Sequence, residues 1–233
     1  MMSPKKVYYF DNNATTRVAP EVVAAMLPFL SELWANPSSA YAFGSQVHGH
    51  VEKARETVAA LINADPKEVT FTSCGTESNN SAIHSALVTS GKRHVVTTAV
   101  EHSANMNFGA YLEKRGFEVT YLPVESDGSL DLHLLERSIR PDTAIVSVMM
   151  ANNETGVVQP VADVVRLAQA HGALVHSDAV QVLGKLPLNF GLLSVDFLTL
   201  SAHKNGGPVG IGALVVRDGV PVEPLIHGGG QEL

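Results

Sequence analysis

The sharpest chemical feature of this sequence is a lysine, Lys204, that directly follows an apolar run and precedes the glycine-rich stretch 205–212. At the end of a strand inside a cleft, a lysine can lose its proton and form a Schiff base with a carbonyl compound. The glycines after it would let the backbone approach a ligand closely. For this residue taken alone, the alternative is an exposed lysine that opens a loop.

A second feature is the segment 73–78, where Gly75 and Thr76 lie among small hydroxyl residues just before a predicted helix. Free N–H groups and the helix dipole make such a helix N-terminus a favourable place for a phosphate group. Simple capping of the helix by Ser or Thr is the alternative.

Further polar residues follow other apolar runs. His102 could carry protons or stack on a ring, and a structural histidine is the alternative. Asn152, Asn153 and Glu154 would be costly to bury unless they bind something, and a polar turn is the alternative. Asp178 would be partly desolvated and would need a cationic partner, unless it caps a helix.

These residues are positioned by short apolar segments that alternate with helical patterns. Strands are predicted at 69–72, 94–98, 118–122, 144–149, 173–177, 195–200 and 212–216. Helices are predicted at 20–33, 45–62, 76–90, 104–115, 130–139 and 161–171. The alternation predicts an α/β fold with a mostly parallel sheet covered on both faces. Ligands of such sheets bind beyond the carboxyl ends of the strands, where the polar residues above would gather.

One ligand accounts for a strand-end lysine, a strand-end acid, a histidine, amides and a phosphate site on one sheet edge. That ligand is pyridoxal 5'-phosphate (PLP), which needs a Schiff-base lysine and an acid beside its pyridine nitrogen. It also needs a cradle for its phosphate. A nucleotide-binding Rossmann protein fits the predicted sheet, but no G-x-G-x-x-G motif follows the first strand.

Composition excludes several other classes of protein. The 233 residues carry a net charge of −7 and no long basic run, which argues against a nucleic-acid partner. A single cysteine, Cys74, excludes a disulfide scaffold and a multi-cysteine site, and no metal site is expected. No apolar stretch approaches the roughly 20 residues that span a bilayer, so no membrane partner is expected. No secretory signal is visible, and a cytoplasmic location is the default expectation.

Eight short motifs bear a family resemblance. They are residues 11–16 (DNNATT), 36–39 (NPSS), 71–78 (FTSCGTES), 101–102 (EH), 151–157 (ANNETGV), 178–181 (DAVQ), 201–204 (SAHK) and 227–232 (HGGGQE). In this order and spacing, the sequence resembles the class V aminotransferase-like cysteine desulfurases of the NifS/IscS type. The resemblance implies a three-layer, fold-type-I PLP transferase large domain with a mostly parallel seven-stranded sheet.

The family's roles carry over to the matching positions as expectations. Lys204 would form the internal aldimine with PLP, and Asp178 would pair with the pyridine nitrogen. Gln181 would donate to the phenolic oxygen, while His102 would stack on the ring and move protons, so that Lys204 and His102 are the expected catalytic residues. Asn153 would lie near the substrate carboxylate and the cofactor oxygen. The phosphate would be held by Gly75, Thr76, Ser201 and His203.

The reaction implied by the resemblance converts L-cysteine to L-alanine and leaves the sulfur on an enzyme cysteine as a persulfide. A sulfur acceptor or iron–sulfur scaffold protein would then receive the sulfur for cluster assembly, and the enzyme would be a homodimer. A selenocysteine lyase or another class V carbon–sulfur lyase is the alternative. A catalytically incomplete PLP-binding module is a further alternative.

Family members continue after the HGGGQE motif with an arginine-bearing segment and a small C-terminal domain. We therefore expect residues 1–15 to be the segment that would join the missing small domain, and residues 16–233 to form an incomplete PLP-binding large domain. A fragment of a full enzyme is favoured over a natural truncation or a half-enzyme completed by another chain. Cys74 aligns with the phosphate turn, which predicts a small buried residue and not the nucleophile. Val209 stands where the family often has a lysine.

Overall fold

The computed structural model describes residues 7–232 and contains one seven-stranded sheet. Its strands are β1 (Val69–Thr72), β2 (His94–Thr98), β3 (Glu118–Leu122), β4 (Thr143–Ser147), β5 (Leu174–Asp178), β6 (Phe197–Ser201) and β7 (Gly212–Val216). They lie in the order β1-β7-β6-β5-β4-β2-β3. Neighbouring strands from β6 to β3 are parallel, whereas β7 is antiparallel to both β6 and β1. The predicted mostly parallel sheet is confirmed.

Helices connect most of the strands. They are α1 (Pro20–Ser31), α2 (Ala42–Ile62), α3 (Gly75–Ser90), α4 (Ser103–Lys114), α5 (Leu132–Ser138), α6 (Val161–Ala170) and α7 (Phe190–Leu193). The strands β1, β2, β3 and β7 have the predicted bounds, and the ends of the other strands move by one or two residues. All six predicted helices form, with ends that move by at most three residues. The four-residue helix α7 was not predicted, because it is too short to show a helical period.

Two hydrophobic clusters fill the space between the sheet and the helices, one on each face. Val146 and Leu198 belong to the cluster beneath α5 and α6. Their neighbours in sequence, Ile145 and Phe197, belong to the cluster beneath α3 and α4. Successive strand residues point to opposite faces, so a strand covered on both faces must be apolar throughout. This double cover leaves the ends of the strands as the open part of the sheet.

The connection between β6 and β7 determines where Lys204 lies. Residues 202–211 are too few for a helical crossover, so β7 returns antiparallel to β6. Gly212 starts β7, and a Cβ atom there would lie 2.8 Å from the carbonyl carbon of Cys74 and 2.9 Å from the oxygen of Leu200. Glycine therefore allows the loop that carries Lys204 to pack against the start of α3.

The segment 7–15 is largely exposed and crosses the carboxyl edge of the sheet. The predicted division between residues 15 and 16 stays a prediction, and residues 1–6 and 233 lie outside the described part of the chain. Within residues 7–232, no helix combines the length and the apolar character needed to cross a membrane.

Candidate functional site

A cleft of about 790 Å³ opens at the carboxyl ends of the parallel strands. All nine residues to which the family resemblance gives a role line it. These residues are Gly75, Thr76, His102, Asn153, Asp178, Gln181, Ser201, His203 and Lys204. The structure thus brings together residues from five strand ends, as the rule for open parallel sheets predicts.

Lys204 ends a 3-10 turn (Ala202–Lys204) directly after β6. Its Nζ donates to the carbonyl oxygens of Asn13 at 2.5 Å and Ala14 at 2.7 Å. Both acceptors belong to the N-terminal segment, so this segment forms one wall of the cleft. Lys204 is therefore not an exposed lysine that simply opens a loop, because its amine is held by these two hydrogen bonds.

The pKa of Lys204 lies below the ordinary value for lysine. Burial lowers it most, and the positive charge of Lys185 lowers it further. The carboxylates of Asp11 and Asp178 act in the opposite direction without cancelling the first two effects. A lysine with a lowered pKa keeps more of its amine in the unprotonated, nucleophilic form at neutral pH.

Asp178 is the last residue of β5 and is 7% exposed. It accepts hydrogen bonds from Asn79 Nδ2 at 2.8 Å and from the N–H of Val180 at 3.0 Å. Burial raises its pKa, although Asn79 and Val180 lower it in part. A turn and not a helix follows Asp178, so the alternative of a helix cap is wrong. Among its neighbours, Asn79 has a buried Oδ1 without a hydrogen-bond partner.

The N-terminus of α3 forms a second wall of the cleft. Cys74 occupies the N-cap position, and no side chain caps the helix through a hydrogen bond. Ser73 is bonded to Glu77, with its N–H 2.7 Å from the carboxylate. The alternative of simple Ser or Thr capping is therefore wrong for this helix. Gly75 and Thr76 line the cleft, so the helix N-terminus with its uncapped N–H groups lies beside it.

Cys74 differs from the expectation of a small buried residue, because it is only partly buried and lines the cleft. Burial raises the pKa of its thiol. The N–H groups of Glu77 and Thr76 and the hydroxyl of Ser73 lower the pKa by more, which leaves it below its ordinary value. The donors that favour a thiolate at this turn would equally favour another anion.

His102 is the N-cap of α4 and is exposed on the side of the cleft. Its Nδ1 accepts from the N–H of Ala104 at 3.1 Å, which leaves the proton of a neutral ring on Nε2. The structural alternative is thus also correct, since the same ring caps a helix and faces the cleft.

Glu101 is a buried residue beside His102 for which sequence analysis offered no role. Its carboxylate accepts from Thr98 Oγ1, the N–H of Met149 and Asn105 Nδ2 at 2.8–3.0 Å. Burial raises its pKa to about 7, against the effect of these donors. The resemblance motif at 101–102 contains this residue and was the available signal.

The two asparagines of the 151–157 motif, Asn152 and Asn153, have different surroundings and different roles. Asn152 is buried, and its Oδ1 accepts from the N–H groups of Glu154 and Thr155 at 2.9 Å. The polar-turn alternative is correct for Asn152. Asn153 faces the cleft, and its carbonyl oxygen accepts from Asn13 Nδ2 at 3.2 Å.

Ser201 and His203 precede Lys204 at the end of β6. Ser201 is buried, whereas the His203 Nδ1 lies 3.1 Å from Thr15 Oγ1. The carbonyl oxygen of His203 accepts from the N–H of Thr16 at 2.8 Å. Burial lowers the pKa of His203, and the charge of Lys204 lowers it further. Hydrogen bonds with Thr15 and Thr16 therefore fix the histidine.

Asn13 joins these walls, and sequence analysis gave it no separate role. Its carbonyl oxygen accepts from Gln181 Nε2 at 2.9 Å as well as from Lys204. Its Oδ1 accepts from Lys185 Nζ at 3.3 Å, and Lys185 also donates to Gln181 Oε1 at 2.6 Å. Within residues 7–232, no group of three His, Cys, Asp or Glu side chains could hold a metal ion.

Comparison with known proteins adds relatives to this geometry. The aminotransferase class-V family matches residues 8–232. Cysteine desulfurase 2 of Trichormus variabilis is 54% identical over 227 residues, which cover 97% of this chain and 57% of that protein. Cysteine desulfurase IscS of Dictyoglomus turgidum is 47% identical over 231 residues, which cover 98% of this chain and 58% of that protein.

Solved structures agree in fold. A NifS-like protein superposes with a TM-score of 0.93 and 47% identity, over 96% of this chain and 62% of its own. SspA in complex with cysteine also gives a TM-score of 0.93, at 40% identity, over 97% of this chain and 66% of its own. The chain therefore spans less than two thirds of the length of these relatives.

Proposed function

The chain belongs to the aminotransferase class-V family, and from that premise we propose that it is the PLP-binding part of a cysteine desulfurase. The proposed reaction takes L-cysteine and an enzyme thiol to L-alanine and an enzyme persulfide. The sulfur leaves carbon and bonds to the thiol sulfur, and no external oxidant is required. Relatives named cysteine desulfurase at about 50% identity support this choice of reaction.

The observation that carries the proposal is the set of functional groups that line the cleft. Lys204 offers an amine of lowered pKa, and Asp178 offers a buried carboxylate. The start of α3 offers amide donors without a side-chain cap. These groups match the aldehyde, the pyridine nitrogen and the phosphate of PLP. The residues present therefore fit the cofactor.

When bound, PLP would supply an electron sink that stabilises negative charge at the substrate carbon. The residues of the chain would do the rest. Lys204 would hold the cofactor and move a proton through its amine. Asp178 would keep the pyridine nitrogen protonated, because a buried carboxylate favours a cation beside it. Gln181 would donate to the phenolic oxygen, and His102 would stack on the ring and move protons.

The phosphate and the substrate would occupy the remaining parts of the cleft. Donors for the phosphate would come from Gly75, Thr76, Ser201 and His203. Asn153 would lie beside the substrate carboxylate. Cys74 has no part as the sulfur-accepting nucleophile, because it lies at the proposed phosphate site. The proposal places that nucleophile outside these 233 residues.

A homodimer is part of the same proposal. The helix α1 has no buried residue, and Leu27, Leu30 and the nearby Trp34 are exposed. Exposed apolar side chains grouped in this way mark an interaction surface. Sedimentation velocity should detect a dimer, and Leu30→Glu should shift it toward the monomer. A monomer at all concentrations would contradict this part of the proposal.

The cellular role is proposed from the relatives that carry the IscS name. An iron–sulfur scaffold or another sulfur acceptor would be the partner, and the location would be cytoplasmic. Transfer of labelled sulfur to a purified scaffold protein would support this role, and labelled sulfide released only to solvent would oppose it.

Cofactor trapping tests the central claim. The purified chain would be incubated with PLP, reduced with borohydride and mapped by mass spectrometry, with Lys204→Ala as the variant and Lys114→Ala as the control. We expect the label on Lys204, and we expect Lys204→Ala to lose it while Lys114→Ala retains it. A label scattered over other lysines would refute a built cofactor site.

Substrate choice needs a separate measurement. L-cysteine and L-selenocysteine would be supplied with a thiol reductant, and alanine, sulfide and selenide would be quantified. Alanine from cysteine supports the desulfurase proposal. Selenide without sulfide would favour a selenocysteine lyase, and neither product despite bound PLP would favour a catalytically incomplete module.

A further inference from the structure

Lys185 is a charged group beside the cleft to which neither the sequence motifs nor the proposed chemistry assigns a role. It lies in the turn that follows β5, behind Gln181. Its Nζ donates to Gln181 Oε1 at 2.6 Å and approaches Asn13 Oδ1 at 3.3 Å. Lys185 therefore connects a β5-edge residue to the N-terminal segment.

The contact with Gln181 determines which end of that amide faces Lys204. An ammonium group has donors and no acceptor, so Lys185 can meet only the Oε1 end of the amide. The Nε2 end is then turned toward Asn13, whose carbonyl oxygen also accepts from Lys204. The amide N–H and the lysine amine consequently lie around one shared acceptor.

Lys185 also contributes charge. The groups that act on the Lys204 amine come from several elements. Lys185 is the cation among them, and Asp11 and Asp178 are the anions. His203 lies on the same 3-10 turn as Lys204, and the charge of Lys204 lowers the pKa of His203. A neighbouring cation disfavours the protonated form of Lys204, and this effect weakens with salt because Lys185 is largely exposed.

We propose that Lys185 is a positioning residue for the cleft: it orients the Gln181 amide and places a positive charge beside the Lys204 amine. This role deepens the proposed PLP function and rests on it, because an oriented N–H donor and a free amine are what a carbonyl cofactor requires. Lys185 itself does not line the cleft and acts through Gln181 and Asn13.

The test compares three variants of the chain. Lys185→Met removes the donors and the charge at similar length. Lys185→Arg keeps both, and Lys114→Met changes an exposed lysine on α4. The cofactor-free proteins would be treated with acetic anhydride over a range of pH, and acetylation of Lys204 would be quantified by mass spectrometry. We expect the pH midpoint for Lys204 to rise in Lys185→Met and to stay unchanged in Lys114→Met and, largely, in Lys185→Arg.

A second readout uses PLP. We expect Lys185→Met to weaken PLP binding by about tenfold, the effect of one charge-assisted hydrogen bond, and Lys185→Arg to restore most of it. An unchanged Lys204 midpoint in a folded Lys185→Met protein would overturn the proposal. If PLP fails to bind the unsubstituted chain, the proposed function fails, and the acetylation result still decides the role of Lys185.

Discussion

The sheet interior and its carboxyl edge both bury polar side chains, but they satisfy them differently. His94 in β2 and His176 in β5 are fully buried inside the sheet. Each of their ring nitrogens lies 2.8–3.0 Å from a hydroxyl of a neighbouring strand. Those hydroxyls belong to Thr143, Thr120, Ser147 and Thr199.

At the carboxyl edge of the sheet, buried polar side chains are charged or lack some of their hydrogen bonds. Asp178 is held by two neutral donors, and its partner Asn79 keeps a buried oxygen without a hydrogen bond. Burial raises the pKa of Asp178 by more than these two hydrogen bonds lower it. A buried side chain whose polar atoms are all hydrogen-bonded to neighbouring strands contributes to stability. A buried carboxylate at an open sheet edge, without an ion pair to a cation, is suited to binding a positively charged group of a ligand. Three substitutions test this comparison.

The largest effect is expected for Asp178→Asn. The amide keeps the size of the side chain but removes the negative charge beside the proposed pyridine nitrogen. We expect PLP binding to weaken by about 100-fold, the upper range for a hydrogen bond to a charged group, with little loss of fold. Titration of the visible absorbance with PLP would measure this change.

Asp196→Asn is the matched control, because Asp196 is equally buried but accepts from the N–H of Val175 away from the cleft. It should bind PLP like the unsubstituted chain. If Asp178→Asn also binds PLP normally, Asp178 belongs with the structural side chains and the comparison fails.

An effect on stability alone is expected for His176→Gln. Loss of two buried hydrogen bonds should cost about 2–3 kcal/mol in the free energy of unfolding at pH 7. Burial lowers the pKa of His176 to about 3, so the unfolded chain binds more protons between about pH 3 and 6.5. Stability from this residue is present above pH 6.5 and is lost as pH falls.

The variant should therefore lose less stability than the unsubstituted chain between pH 7 and pH 5. Urea unfolding followed by circular dichroism at both pH values would measure this, with the exposed His133→Gln as control. A weakened PLP site in a folded His176→Gln protein would show that the interior and the edge are not separate.

Much of this arrangement was predictable from local pattern. Apolar runs located all seven strands, and the strand-end rule located the residues that line the cleft. The end of β4 was wrong because Val148 and Met149 continue the apolar run after the strand ladder has ended. Apolar character reports burial, whereas strand ends depend on hydrogen bonds between strands.

The contacts that complete the site were not predictable. Asn13 lies 191 residues before Lys204, and no local period shows that the N-terminal segment returns across the cleft. Lys185 resembles an ordinary exposed lysine until the orientation of Gln181 is known. Glu101 was visible within a motif, but its burial depends on the packing of α4 against the sheet.

The smallest effect is expected for Glu101→Gln, a residue that lies between the two regions. Burial raises the pKa of Glu101 to about 7, so the native state binds more protons than the unfolded chain between about pH 4.5 and 7. The unsubstituted chain should lose stability as pH rises through this window. Glutamine removes the titration, and the unpartnered Oδ1 of Asn105 can rotate to accept from its amide.

Relative to its own value at pH 5, the variant should therefore be more stable at pH 8 than the unsubstituted chain by about 1–2 kcal/mol, measured by urea unfolding. Glu113→Gln, an exposed carboxylate on α4, is the control and should follow the unsubstituted chain. The same pH dependence in Glu101→Gln and the unsubstituted chain would mean that three donors keep Glu101 ionised throughout. Glu101 would then belong with the fully paired histidines of the interior, because its partners would meet its charge without any contribution from the cleft.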